Sequence, residues 1–507
     1  MPKSDELVIT APRQGIAQSP HIGFGDIRNL DIFSVPGIVK LNNILVLKSG
    51  ATITDQINWI VRHPITTTEV YALGNTGEVY KSADSGATWA ILAGHSNTNA
   101  HGNGLVIWKN YLFVARDSYL DVCGDGTATG ITAANWTTDW KAIDSDVLWH
   151  PMLISKNDNK LYGGAGRMVY SLDENTGQTF APGTGATYTW IQQALDLPPS
   201  YRIKCLEELG NNLMCGTWQG TNIYDIRIAD IFPWDRVSVS FGQPIVIDDY
   251  GVHAMKNDGN SLVVLAGTSG TVRRCDGANA YIIGQLPQDL SGGKYIEFYP
   301  NGIAQYKNKT FFSIGNGGTS VFIDGMGIYS LLQTGQGNIL TLEHQISNFA
   351  VTGNSGSANN LKISALLPIT RDTILAGWRD NVTYGIDLTN ATSYLYVTNY
   401  SGYFDSPLYV VGNIKDMRAF SDLTFQLAKK LATDEGIRIS YRNNLTDDFT
   451  LIKTSTGGVL SLIYSVLTAV ISHFITPDIP KCEMVQLRIA LLGTATTTPT
   501  FKSLTLK

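Results

Sequence analysis

Residues Val70 to Trp89, VYALGNTGEVYKSADSGATW, constrain the fold of this chain more than any other stretch. Two strand-forming runs, Val70–Leu73 and Glu78–Tyr80, flank Gly74-Asn75-Thr76-Gly77, whose glycines supply the positive φ angles of a tight hairpin. A second turn follows at once, Ser82-Ala83-Asp84-Ser85-Gly86-Ala87-Thr88-Trp89. There the Asp84 carboxylate is placed to accept backbone and hydroxyl hydrogen bonds while Trp89 packs beneath the hairpin, which is structural chemistry and not catalysis.

The same grammar recurs along the chain: an apolar run, a Gly or Asp turn, then a second short run. Copies stand at Tyr111–Asp121, Leu161–Tyr170, Leu213–Gly216 with Gly220–Asp225, Val263–Gly267 with Gly270–Arg273, Phe311–Gly315 with Gly318–Asp324, and Thr373–Gly377 with Asn381–Tyr384. Turn residues 77, 117, 166, 220, 270, 318 and 380 are spaced by 40, 49, 54, 50, 48 and 62 residues. Repeats of that length, each too small to cover its own faces, predict stacked four-stranded blades closed into a ring. The expectation is an all-β protein with a seven-bladed β-propeller over residues 38–405, an N-terminal arm over 1–37 and a small β-sandwich over 406–507. Strand-like runs such as Gly436–Arg442 and Glu483–Leu492, after the repeats end, argue for the sandwich. The arm, Ile27–Leu41, is read as extended, with Pro36-Gly37 as a turn, and as able to close the ring on the final blade.

Composition agrees with many short strands: 50 glycines in 507 residues, 10% aromatic and only 16% charged. A net charge of -6 argues against electrostatic capture of nucleic acid or of an anionic membrane. Five cysteines (Cys123, Cys205, Cys215, Cys275, Cys482) without a C-x-x-C pair read as buried free thiols of a protein assembled in a reducing cytosol. The start of the chain shows no signal-peptide pattern. The uncharged run Gly457–Thr476 is long enough to span a bilayer, but its Val, Ile, Tyr, Thr and Ser content reads as two buried strands, without stable membrane insertion.

The pattern Ser82-x-Asp84-x-Gly86-x-Thr88-Trp89 resembles the Asp-box of sialidase-type and related propeller blades, and Ser171–Phe180 is a degenerate second copy. The order of parts, with Asn29–Lys40 at the start and Ile439–Phe449 and Lys502–Lys507 at the end, is similar to that of tail hub or nozzle proteins of tailed bacteriophages. That resemblance implies a virion tail component without enzymatic activity, assembled in the host cytoplasm as a ring of copies, a homohexamer. It implies portal, adaptor or other tail proteins as partners, and passage of DNA without sequence-specific binding. A weakly acidic lumen suits such a conduit, because strong phosphate binding would hold the genome. Two alternatives stay open: a tail-tip propeller that binds a host-surface glycan through exposed Trp and Tyr, and a sialidase-like hydrolase.

A sialidase needs an arginine cluster, a carboxylate-activated tyrosine and an acid. Tyr201-Arg202-Ile203-Lys204 does not match the family's Arg-Ile-Pro segment, and Arg28, Arg116 and Arg202 could converge into such a cluster, which spacing alone does not show. The histidines, including His95 and His101, lack metal-site spacing, and no phosphate loop occurs. No catalytic, cofactor or metal residue is expected. Glycine pairs such as Gly163-Gly164 read as hairpin turns, and Arg273-Arg274 alone is too little basic sequence for a stacking nucleic-acid surface.

Overall fold

A computed structural model describes residues 7–10, 25–35, 37–49, 52–95, 101–144, 149–175, 182, 188–219, 229–286, 295–317, 325–334, 337–347, 361–370, 372–390, 392–394, 402–411, 417, 419–432, 434–453, 461–463, 472–494 and 496–507. The chain forms two compact units, one of residues 46–326 and 356–388, the other of residues 1–45, 327–355 and 389–507.

The first unit is a β-propeller. Five four-stranded antiparallel sheets follow in order, each made of consecutive strands: blade 1 over Ile57–Ile91, blade 2 over Gly102–Ala142, blade 3 over Met152–Asp196, blade 4 over Tyr201–Ile247 and blade 5 over Val252–Gln285. The hairpin Ile303–Tyr306 and Lys309–Ser313 comes next. A closing blade follows, in which Lys362–Pro368, Ile374–Asp380 and Thr383–Thr389 take Leu45–Leu47 as their outer strand. Lys48 N donates to Ile386 O at 2.9 Å and Ile386 N to Ser49 Oγ at 3.0 Å, so an early strand completes the last sheet and removes its open edge. The ring is thus closed by the residues just after the arm.

The second strand of each blade is buried on both faces, and side chains alternating along it feed two different cores. Leu112 and Val114 pack toward blade 1 with Tyr71, Leu73 and Leu105, whereas Phe113 and Ala115 pack toward blade 3 with Leu161, Tyr170 and Leu172. The last such core joins the ends of the ring: Ile57, Val70, Tyr80 and Trp89 of blade 1 meet Ala365, Leu375 and Ile386 of the closing blade.

The turn anchors read from sequence fall between the second and third strands. Gly77 (φ 85), Asp117 (φ 24), Gly166 (φ 57) and Gly270 (φ 76) all have the left-handed backbone that such hairpins need, and Asn381 (φ 55) does so beside Asp380. The anchors at 220 and 318 and the end of the degenerate box lie outside the described residues. Gly163 and Gly164 are not a turn: they lie inside strand Leu161–Ala165. A Cβ on Gly163 would fall 2.0 Å from the Tyr170 ring and one on Gly164 2.7 Å from Ile203 Cγ2 of blade 4, so both are needed for close packing.

In the second unit, sheet Leu7–Thr10, Phe501–Leu506, Leu423–Leu427, Ser472–Ile475 and a larger sheet share one core. The larger sheet includes Ile328–Thr334, Gly337–His344, Ile27–Arg28, Gly402–Asp405, Met484–Leu492 and Gly436–Arg442. The linear division at residues 37 and 405 therefore differs from the compact units. Hairpin 328–344, inside the span expected for the propeller, pairs instead with the arm through Arg28↔Leu342, and the arm pairs with Tyr403 and Phe404. Within the run 457–476, Ser461–Ile463 and Ser472–Ile475 are strands, paired with Gly436–Arg442 and Leu423–Leu427; the rest of the run lies outside the described residues. Among the described residues no helix is long and apolar enough to cross a membrane.

Candidate functional site

The fourth strands of the blades are largely exposed, as in Ala280–Gln285, while the first strands are buried, which places the first strands around the propeller axis. Five first strands carry a register shift at one residue: Asn58, Asn103, Lys204, His253 and Ser364. Such a bulge leaves one residue out of the ladder and re-aims its side chain. All five are polar and all five are buried.

Several of them staple neighbouring blades. Ser364 Oγ donates to Ile57 O, joining the closing blade to blade 1. Asn58 Nδ2 donates to Gly102 O at 3.2 Å, joining blade 1 to blade 2, and its Oδ1 accepts from Gln56 Nε2 at 3.0 Å. Lys204 of blade 4 reaches His253 of blade 5, Nζ to Nδ1 2.8 Å, and donates to Phe298 O at 3.3 Å. Its ammonium also stands 5.3 Å from the centre of the Trp149 ring, which in turn meets Tyr299 edge-on at 5.8 Å. Asn301 supports the same layer, accepting Ile60 N at its Oδ1 and Leu366 N at its backbone carbonyl. Side chains therefore fill the axis at this level.

Burial dominates the electrostatics there. It pulls Lys204 down to about 8, against the opposing pull of Glu297, which is itself ion-paired with Lys362 at 2.8 Å. His253 is held well below its ordinary value, first by burial and then by the Lys204 charge. Burial pushes the Tyr299 phenol up.

The Asp-box turn is a closed hydrogen-bond network. Asp84 Oδ1 accepts from Ser82 Oγ (2.8 Å) and Thr88 N (2.8 Å), and Oδ2 accepts from Thr88 Oγ1 (2.6 Å). Gly86 N donates to Ser82 Oγ at 2.8 Å, and Trp89 Nε1 to Gly86 O at 3.1 Å. Burial alone would raise Asp84, but the bonds from Thr88, Ser82 and Ala87 outweigh it and hold the carboxyl below the usual range. Gly86 (φ 90) is required twice over, since a Cβ would also fall 2.7 Å from Leu375 of the closing blade.

The arginines weighed for a sialidase cluster each have local partners. Arg116 is buried against Asp121 at 2.5 Å and also meets Asp139, Arg202 donates to Pro199 O and Tyr201 O, and Arg28, in the other unit, pairs with Asp26 at 2.6 Å. Tyrosine–carboxylate pairs do occur, Tyr71 with Glu69 at 2.5 Å and Tyr80 with Glu78 at 2.8 Å. In both, burial and then the acid raise the phenol, Tyr80 to about 12. His95 Nε2 is bonded to Asp121 at 2.8 Å, and His101 Nδ1 to Asp117 at 2.8 Å. Among the described residues no group of three or more His, Cys, Asp or Glu is placed to hold a metal ion. All five cysteines are buried and free.

The second unit holds a stack that linear sequence hides. Arg488 lies 4.0 Å from the Tyr403 ring centre and 4.1 Å from that of Phe449, with Arg442 4.5 Å over Phe449 and Arg28 5.3 Å over Tyr403. Asp405 grips Arg488 with both oxygens, at 2.6 and 2.8 Å. The stretches that meet here, around residues 28, 403–405, 442–449 and 488, are far apart in the chain, so no local basic–aromatic pattern announces them. Because Asp26 and Asp405 neutralise two of the three guanidiniums, the stack braces the unit rather than offering a strongly basic surface.

No protein-family model matches the chain, and no curated protein matches it. Solved structures similar to it include YCF48 from Cyanidioschyzon merolae, at 11% identity over 68% of this chain and 98% of that one, with a TM-score of 0.44. YCF48 bound to a D1 peptide is 12% identical over 72% and 100% (TM-score 0.42), and the WD40 propeller domain of Doa1 is 9% identical over 69% and 97% (TM-score 0.42).

Proposed function

We propose that this protein is a non-enzymatic structural component of a bacteriophage tail, of the nozzle or hub type. In this reading it works in the virion as a ring of six copies attached to portal, adaptor or other tail proteins, with DNA passing without sequence-specific binding. The propeller, taken as seven-bladed with hairpin 303–313 belonging to the sixth blade, serves as a rigid block. One observation supports the reading: the segments that carry the resemblance, far apart in sequence, fold into one core. Leu30, Ile32 and Val39 of the arm pack with Ile439 and with Leu504 and Leu506 of the chain end, and Val39 pairs with Phe501 across a β-bridge. The filled propeller axis is consistent with a conduit formed between copies. Particle imaging of the protein mixed with portal and adaptor proteins of tailed bacteriophages tests this: sixfold rings bound to them support it, and a chain that ignores both refutes it.

A second reading, a propeller that binds a host glycan, is favoured by the half-buried Trp140 and Trp190, 6.1 Å apart on the outer strands of blades 2 and 3. A glycan array tests it. Binding that Trp190→Ala abolishes would favour this role, and no binding to any glycan would remove it.

A further inference from the structure

We propose that Lys204 and His253 form an acid-sensitive joint between blades 4 and 5, holding the two first strands together while the pair carries a single positive charge and releasing them when it is forced to carry two. The geometry permits only one charge. Lys204 Nζ lies 2.8 Å from His253 Nδ1, and an ammonium has no lone pair, so the imidazole must be the acceptor and therefore neutral. The ring also hydrogen-bonds the backbone of Tyr250, which leaves Nε2 to carry its one proton. A second proton would place an imidazolium against an ammonium, both fully buried, and would remove the acceptor at the same time.

The surroundings do not relieve that second charge. Trp149 covers the ammonium with its ring face, Phe298 offers one carbonyl, and Cys205, next to Lys204 on its own strand, is a thiol that burial keeps protonated. Tyr299 packs on Trp149 as a neutral phenol. Glu297, the carboxylate that most raises Lys204, is paired with Lys362, which opposes it. Gly251 packs against the imidazole, where a Cβ would fall 2.8 Å from Cε1, so the ring is blocked on that side.

Removing a proton is harmless by contrast, because a neutral amine still donates to Nδ1 and to Phe298 O. The device is therefore one-sided. His253 has a depressed affinity for protons in the folded state, so its contribution is fully present above the free imidazole value of about 6.5 and is lost as pH falls. While the folded pair refuses the second proton, the folded-to-unfolded ratio falls about fivefold over the first pH unit below about 6.5 and about tenfold over the next.

The test is urea unfolding of the full chain at pH 7.5, 6.5 and 5.5, with hydrogen exchange followed in peptides covering Tyr201–Leu209 and Val252–Asn257 and in blade 2 as a reference. His253→Asn keeps an acceptor near the Nδ1 position and cannot titrate. The wild type is expected to lose about fivefold more in its folded-to-unfolded ratio between pH 6.5 and 5.5 than His253→Asn does, and to gain exchange first in the blade 4 and blade 5 peptides. Lys204→Met removes the resident charge and is expected to blunt the same acid response, which keeps the proposal testable if the histidine variant does not fold. Equal acid responses in wild type and a folded variant, or acid-induced exchange that starts in blade 2, would overturn the joint.

Discussion

Trp89 and Asp84 divide the work of the Asp-box turn between packing and hydrogen bonding, and the two roles separate by mutation. Trp89 is buried in the core between blade 1 and the closing blade, so Trp89→Ala is expected to cost about 3–5 kcal/mol in urea unfolding. Asp84→Ala removes three charge-assisted bonds on a more exposed turn and is expected to cost about 2 kcal/mol. Its carboxyl is held low in the folded state, so that contribution should persist at neutral pH and fade only as pH falls below about 4. A Trp89→Ala variant as stable as the parent would remove the turn from the ring's closure. In the second unit, Asp405→Ala leaves Arg488 stacked between Tyr403 and Phe449 without its bidentate partner and is expected to cost about 3–5 kcal/mol, read by the same denaturation.

Among the elements, the second-to-third-strand turns were legible in the sequence because they depend on local backbone conformation: Gly77, Gly166 and Gly270 need positive φ whatever surrounds them. The bulged first strands were not legible. A period-2 reading cannot register one inserted residue, and Lys204 in Tyr-Arg-Ile-Lys looks like an ordinary surface lysine until His253, 49 residues on, and Phe298 are brought beside it. The Lys-Asn pairs at 109–110 and 307–308 were a missed signal, since both pairs take positive φ in two-residue hairpins. Hairpin 328–344 falls inside the 38–405 span expected for the propeller because spacing records length and not partner. The bulge staples predict that Asn58→Ala, which leaves Gly102 O without its side-chain donor, costs about 1–3 kcal/mol. A cost below the error of the denaturation curve would mean that the staple is incidental.

For the whole molecule, a ring completed by Leu45–Leu47 ties the start of the chain to a blade more than 300 residues later. A chain lacking residues 1–49 is expected to expose the edge of strand Thr383–Thr389 and to melt in a broader, lower transition by calorimetry; an unchanged melting profile would show that closure rests on the core alone. The central claim is the ring of copies on a tail. Electron cryo-microscopy of the purified protein with portal and adaptor proteins of tailed bacteriophages tests that ring directly. Sixfold rings seated on that assembly with a continuous channel between copies are expected, and a monomer that binds neither protein at micromolar concentration would contradict the tail role.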